Sequence, residues 1–176
     1  MPAVGVKGRK ARRVDGHVEC VGVFGPALEV GKTVGVREMT DEERRAFLLH
    51  GTRTGKLATV RPDGRPHLAP IWFVLDGDLV VFTTGADTVK GRAVRRDPRL
   101  AMLVDDEAPP YAYVLVEGTA EVSEDLDQML DWAVRIGGRY MGAERAEEFG
   151  RRNAAPGELL VRVTPTKMLA RAGISD

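Results

Sequence analysis

From Met39 onward the spacing of apolar and polar positions changes period several times, and each change marks an element. Thr40 followed three residues later by Glu43 is a capping box, and Ala46, Leu48 and Leu49 give one apolar side, so a short helix ending at His50-Gly51 is expected. A short β run over residues 56–61, the turn Pro62-Asp63-Gly64 and a longer strand over 65–75, broken by Pro66 and Pro70, follow. Asp76-Gly77-Asp78 then turns the chain into residues 79–84, an almost wholly apolar strand that should be buried on both faces. These three strands read as a meander. Residues 88–95 form a small basic helix that stops at Asp97-Pro98, and 100–104 and 111–122 return to strand. Ser123, ahead of Glu124 and Asp125, is read as the cap of a helix with Leu126, Met129, Leu130 and Ala133 on one face, its end weakened by Gly137-Gly138. A charged helix over 143–152 and a final strand over 158–170, containing Pro165, complete the pattern. Adjacent strands are joined by turns too short for crossovers, so an antiparallel barrel with a few covering helices is expected in place of a parallel sheet.

Composition refines this picture. The chain has 176 residues, 43% of them hydrophobic, with 26 basic and 26 acidic side chains. Residues 1–38 hold seven basic residues (Lys7, Arg9, Lys10, Arg12, Arg13, Lys32, Arg37) against four acidic ones, a net of +3 that leaves −3 for residues 39–176. The leading segment, with short valine pieces interrupted by glycines, reads as a basic Gly/Val-rich extension, disordered or the product of a start-site assignment upstream of Met39; residues 39–176 read as the folded domain. Overall neutrality argues against a nucleic-acid partner. One cysteine, Cys20, excludes an internal disulfide and a thiolate metal site, and no apolar run is long enough to span a membrane, so a cytoplasmic protein without a membrane partner is expected.

The motif search is informative through its negatives. There are three histidines (His17, His50, His67), no G-x-S-x-G elbow, no P-loop and no G-x-G-x-x-G after a strand. What stands out is the block from Leu57 to Phe73, LATVRPDGRPHLAPIWF, followed by Leu79-Val80-Val81-Phe82-Thr83-Thr84, by Lys90-Gly91-Arg92 and by Arg95-Arg96-Asp97-Pro98-Arg99. In this order the blocks resemble the pyridoxamine 5'-phosphate oxidase-like family, especially its members that use the deazaflavin coenzyme F420. The resemblance runs from about Gly51 to Val122, weakens toward the end and does not include residues 1–38. It implies an FMN-binding split β-barrel, antiparallel and Greek-key-like with a few peripheral helices, forming a homodimer with cofactor in clefts between the two subunits.

The residues allow a site to be drawn beside that resemblance. A flavin or deazaflavin needs a flat apolar slot, backbone groups for its pyrimidine edge and cations for its phosphate. His67, Leu68, Ala69, Pro70 and Ile71 offer strand backbone as a ring platform, and Pro70, which cannot donate to a ladder, marks an edge or bulge. Thr83 and Thr84 end a buried strand with two hydroxyls, and Thr88, Lys90 and Arg92 follow on the small helix. The resemblance gives Lys90 the phosphate-binding role. Flavin-using members present an Arg and Lys pair to the phosphate, and here Thr88 stands at the upstream position, which favours F420 over FMN. Arg95, Arg96 and Arg99 read as surface or structural residues, Trp72 and Phe73 as core or dimer interface, and His50 as the complement of a helix dipole. His67 is a candidate proton donor, with the backbone platform as its other role. The expected activity is oxidoreductase chemistry: hydride transfer from reduced F420 to an unsaturated or electron-poor small molecule. The alternatives are an FMN-binding oxidase or reductase of the same fold and a non-catalytic F420 or flavin carrier.

Overall fold

A computed structural model describes residues 35–175; the expectations for residues 1–34 lie outside the described residues. The elements are β1 (Arg37–Glu38), α1 (Asp41–Leu49), β2 (Gly55–Val60), β3 (Pro66–Ile71), β4 (Val74–Asp76), β5 (Leu79–Gly85), α2 (Val89–Arg96), β6 (Arg99–Asp106), β7 (Ala112–Ser123), α3 (Leu126–Met141), α4 (Ala146–Asn153) and β8 (Glu158–Ala172). A 3-10 turn, Ala143–Arg145, joins α3 to α4. The eight strands form one antiparallel sheet in the order β3-β2-β6-β7-β8-β5-β4, with β1 paired to β8. Its outermost strands, β3 and β4, are joined by Trp72 and Phe73 alone. Two residues span at most roughly 11 Å from Ile71 to Val74, so the sheet must curl until its edges nearly meet. The sheet is not closed, and this is the expected split barrel of antiparallel strands with peripheral helices.

The expected meander is corrected by this order. Residues 65–75 form two strands on opposite edges, because Phe73 leaves the ladder to bury itself fully in the core. Two hairpins therefore replace three neighbouring strands, and the three longer strands β6, β7 and β8 separate them.

Inward positions alternate with outward ones along each strand. Leu57, Met102, Val104, Val114, Val116 and Phe82 fill the main core with Phe73, while Val81, Leu160 and Met129 make a smaller one under α3. β8 carries an extra residue where Gly118 faces Pro165, with Thr166 donating its hydroxyl to the Glu117 carbonyl at 3.2 Å. Pro165 has no N–H to give the ladder, which is why the irregularity falls there.

The helix caps show what local sequence decides. Thr40 and Glu43 form the expected reciprocal capping box. The expected cap of α3 moves by two residues: Asp125 accepts from the amides of Asp127 and Gln128, and Ser123 accepts from the amide of Asp125. A carboxylate at the N-terminus adds a favourable charge to the hydrogen bonds, so Asp outcompetes Ser. Gly137-Gly138 does not end α3. A Cβ on Gly137 would stand 2.9 Å from the Ala146 carbonyl oxygen and 3.0 Å from Phe149 Cβ, so this glycine lets α4 pack closely. The helix stops at Gly142, whose φ of 91° suits glycine. Arg37 and Glu38, read from sequence as part of the extension, pair with Ala172 and Arg171 at the end of β8.

Candidate functional site

The residues predicted to hold a cofactor fall on three elements that α2 draws together, since α2 packs against β2, β3, β5 and β7. β3 is an edge strand, paired with β2 on one side only. His67, Ala69 and Ile71 take the inward face, while Leu68 and Pro70 face out and are exposed. Leu68 is 66% exposed. The unpaired side of β3 leaves backbone carbonyls available to a ligand but few donors, because Pro66 and Pro70 have no N–H. Directly opposite His67 in the β2–β3 ladder stands Thr59, whose buried hydroxyl has no hydrogen-bond partner among the described residues.

β5 separates its two threonines. Thr84 is buried on the core side, whereas Thr83 is half-buried on the opposite face, so one strand end cannot present both hydroxyls to one ligand. Thr88 caps α2. Its hydroxyl accepts from the Gly91 amide at 3.0 Å, donates to the Gly85 carbonyl at 2.7 Å and lies 3.2 Å from the Thr84 hydroxyl. One proton and two lone pairs are thereby used, with Thr84 donating to Thr88. Thr88 thus shapes the turn through its side chain. α2 sits so close to this turn that a Cβ on Gly91 would stand 2.2 Å from the Gly85 carbonyl oxygen.

The donor set that remains suits a phosphate. The amides of Val89 and Lys90 open the helix and have no carbonyl one turn back. Lys90 is half-buried and makes no ion pair within 4.0 Å among the described residues. Arg92 is tied by its guanidinium to the Asp87 carbonyl. Arg95 pairs with Glu124, Arg96 reaches the Val60 carbonyl and Arg99 pairs with Asp97, so these three arginines have structural partners. A flat ring against the β3 edge with its phosphate at Lys90 is compatible with these groups.

Two residues that the sequence reading did not single out position this edge. Arg139 on α3 donates to the carbonyls of Leu48 at 2.7 Å, Phe73 at 2.8 Å and Gly51 at 3.1 Å. Tyr140 donates to the Arg53 carbonyl at 2.8 Å, accepts from the Phe73 amide and stacks on Trp72 at 4.9 Å. Together they fasten the Trp72-Phe73 link where the barrel is split. No periodicity marks them, because both lie on a helix whose polar face reads as solvated. Phe73 is core, as expected, and Trp72 is half-buried in this aromatic stack.

Two cavities lie apart from Thr83–Arg92. One, of about 830 Å³, opens between α1, the β4–β5 turn and residues 164–168 of β8; the other, of about 500 Å³, runs along β2, β6 and β7. Among the described residues there is no cluster of metal-ligating side chains, and no helix is long and apolar enough to cross a membrane.

Comparison with known proteins follows the same residues. A conserved hypothetical protein of Mycobacterium tuberculosis is 27% identical, with 78% of this chain and 87% of that one covered at a TM-score of 0.68. An F420 reductase is 30% identical over 70% of this chain and 94% of that one, with a TM-score of 0.55. The heme storage protein of Vibrio cholerae, 18% identical with 77% and 98% covered at a TM-score of 0.62, shares the fold. Residues 40–171 match the family model for pyridoxamine 5'-phosphate oxidase. That match begins at the cap of α1 and ends in β8, taking in the β3 edge and the capped α2, and the chain belongs to the pyridoxamine 5'-phosphate oxidase family.

Proposed function

We propose that this protein is an oxidoreductase that binds F420 and reduces an unsaturated or electron-poor small molecule, working as a homodimer. The observation that carries the reading is the half-buried Lys90, which among the described residues has no carboxylate within ion-pair distance, at the start of a helix packed against the edge strand β3. The likeness to an F420 reductase over nearly the whole of that protein supports the choice of coenzyme.

Reduced F420, when bound, supplies the hydride from its ring carbon. The protein's share of the work is binding and orientation. Lys90 and the amides of Val89 and Lys90 hold the phosphate by charge-assisted hydrogen bonds. The free backbone of β3 from His67 to Ile71 takes the ring edge, and Leu68 and Pro70 give it an apolar surface. Thr88 and Gly91 fix the approach of α2 to β5, and His67 is the candidate donor of a proton. A second copy completes the slot. On the outer face of the sheet Leu103, Leu115 and Leu169 are neighbours across β6, β7 and β8, each half-exposed, with Leu68 on the same face. A row of this kind is the apolar centre that a self-complementary interface needs.

Fluorescence titration of the purified protein with F420 and with FMN tests the reading. The expected result is F420 binding, with oxidation of the reduced coenzyme when enones or quinones are added. Tight FMN binding without F420 binding overturns the coenzyme assignment, and F420 binding with no turnover across the panel makes the protein a carrier. Lys90→Ala is expected to weaken F420 binding by roughly tenfold or more, the value of a hydrogen bond to a charged group. Unchanged affinity places the phosphate elsewhere.

A further inference from the structure

We propose that Glu158 selects the charge of the phosphate admitted beside Lys90, favouring a singly charged phosphodiester over a doubly charged terminal phosphate. The inference rests on the coenzyme reading above and concerns the same site.

Glu158 opens β8 and is the ladder partner of Gly85 at the end of β5. Direct partners project to the same face, and glycine leaves that face bare on β5. The carboxylate occupies the space: Glu158 Oε1 lies 3.5 Å from the point where a Cβ on Gly85 would stand, and Thr88 Cγ2 lies 3.2 Å from that point. The acid and the cap of α2 therefore flank one spot. The Ala86 amide donates to the Gly157 carbonyl at 2.8 Å, which ties the start of β8 to the β5–α2 turn and holds the carboxylate there. Among the described residues no donor bonds to the Glu158 side chain. Burial keeps this carboxyl above the usual carboxylate range, with the charge of Lys90 pulling it back down.

The charges around the turn are Lys90 and Arg92 against Glu158 and Asp87, which cancel. A neutral surround accepts one negative charge at Lys90 more readily than two, because each added charge is repelled by a carboxylate partly shielded from water. F420 carries its phosphate as a diester with one charge. FMN carries a terminal monoester, which is a dianion above its second ionisation near pH 6. The acid beside the turn that carries Lys90 thus separates the two coenzymes by the charge of their phosphates.

The test is a binding titration at pH 8 with F420, FMN and riboflavin, the last having no phosphate, on the full chain and on Glu158→Gln. Neutralising the acid is expected to tighten FMN binding about tenfold or more, to move F420 less than about threefold and to leave riboflavin unchanged. Glu158→Ala removes the same charge by another route and should reproduce the shift, whereas Glu158→Asp keeps the charge and should not. Equal shifts for FMN and F420, or no shift for either, overturn the role of Glu158 and leave the coenzyme reading standing. Binding of none of the three ligands by any form overturns the coenzyme reading, and this inference with it.

Discussion

Gly91 is the residue on which the geometry of the candidate site depends most directly. Replacing a helical glycine with alanine ordinarily gains about 1 kcal/mol from helix propensity. Here the added Cβ would meet the Gly85 carbonyl oxygen at 2.2 Å and the Ala86 carbonyl oxygen at 3.0 Å, both backbone atoms that cannot rotate away. Gly91→Ala is therefore expected to destabilise the protein by about 2 kcal/mol, in the range of overpacked cores, and to weaken coenzyme binding by displacing Lys90. Urea unfolding measures the first effect, and a gain in stability would show that the turn yields. Arg139 makes the opposite point about local signals. Its three carbonyl partners come from α1, the loop after it and the β3–β4 link, so nothing near it in the chain announces its task.

At the scale of elements, α1 shows how a local motif becomes part of the tertiary structure. Glu43 accepts from the Thr40 amide as the capping box requires, and its carboxylate also receives both terminal nitrogens of Arg37 at 2.8 Å. The Arg37 hydrogen bonds and the Thr40 amide hold the Glu43 carboxyl down at about 2 against an ordinary 4.5. A carboxyl lowered on folding binds fewer protons in the native state, so its contribution is present above pH 4.5 and is lost as pH falls from there through about 2. Glu43→Gln is expected to lower the melting temperature at pH 7, with the gap to the parent closing as pH falls from 5 toward 2. A gap independent of pH would assign the effect to the cap geometry alone. Elements were the most legible level of this sequence, because caps, turn residues and alternation act within a few positions. Pairing was not, since the 65–75 run splits only when Phe73 finds the core.

For the whole molecule, the open question is what completes a barrel whose edge is also its candidate site. Leu115→Arg places a charge in the middle of the outer apolar row without touching the core. If the proposed dimer forms through this face, sedimentation is expected to change from dimer to monomer, with loss of F420 affinity because the second copy is proposed to complete each slot. A dimer that survives the substitution would move the interface to another face.

The sequence by itself determined most of the elements in their order, all but β1 and the split of residues 65–75 into β3 and β4, together with the cap of α1, the basic helix after Thr88, and the family, because these depend on neighbours in the chain and on blocks in a fixed order. It also singled out Lys90 and the 67–71 strand as candidates. Only the tertiary structure decided that β3 and β4 lie at opposite edges of one curled sheet, that Thr83 and Thr84 face apart, and that Thr88 is consumed by its cap. The same holds for Glu158, which lies 68 positions after Lys90 in the chain and is brought beside the β5–α2 turn by its pairing with Gly85 in the β5–β8 ladder. The physical reason is common to all of them: strand pairing joins residues remote in sequence, and the side chains that share a site are chosen by that register.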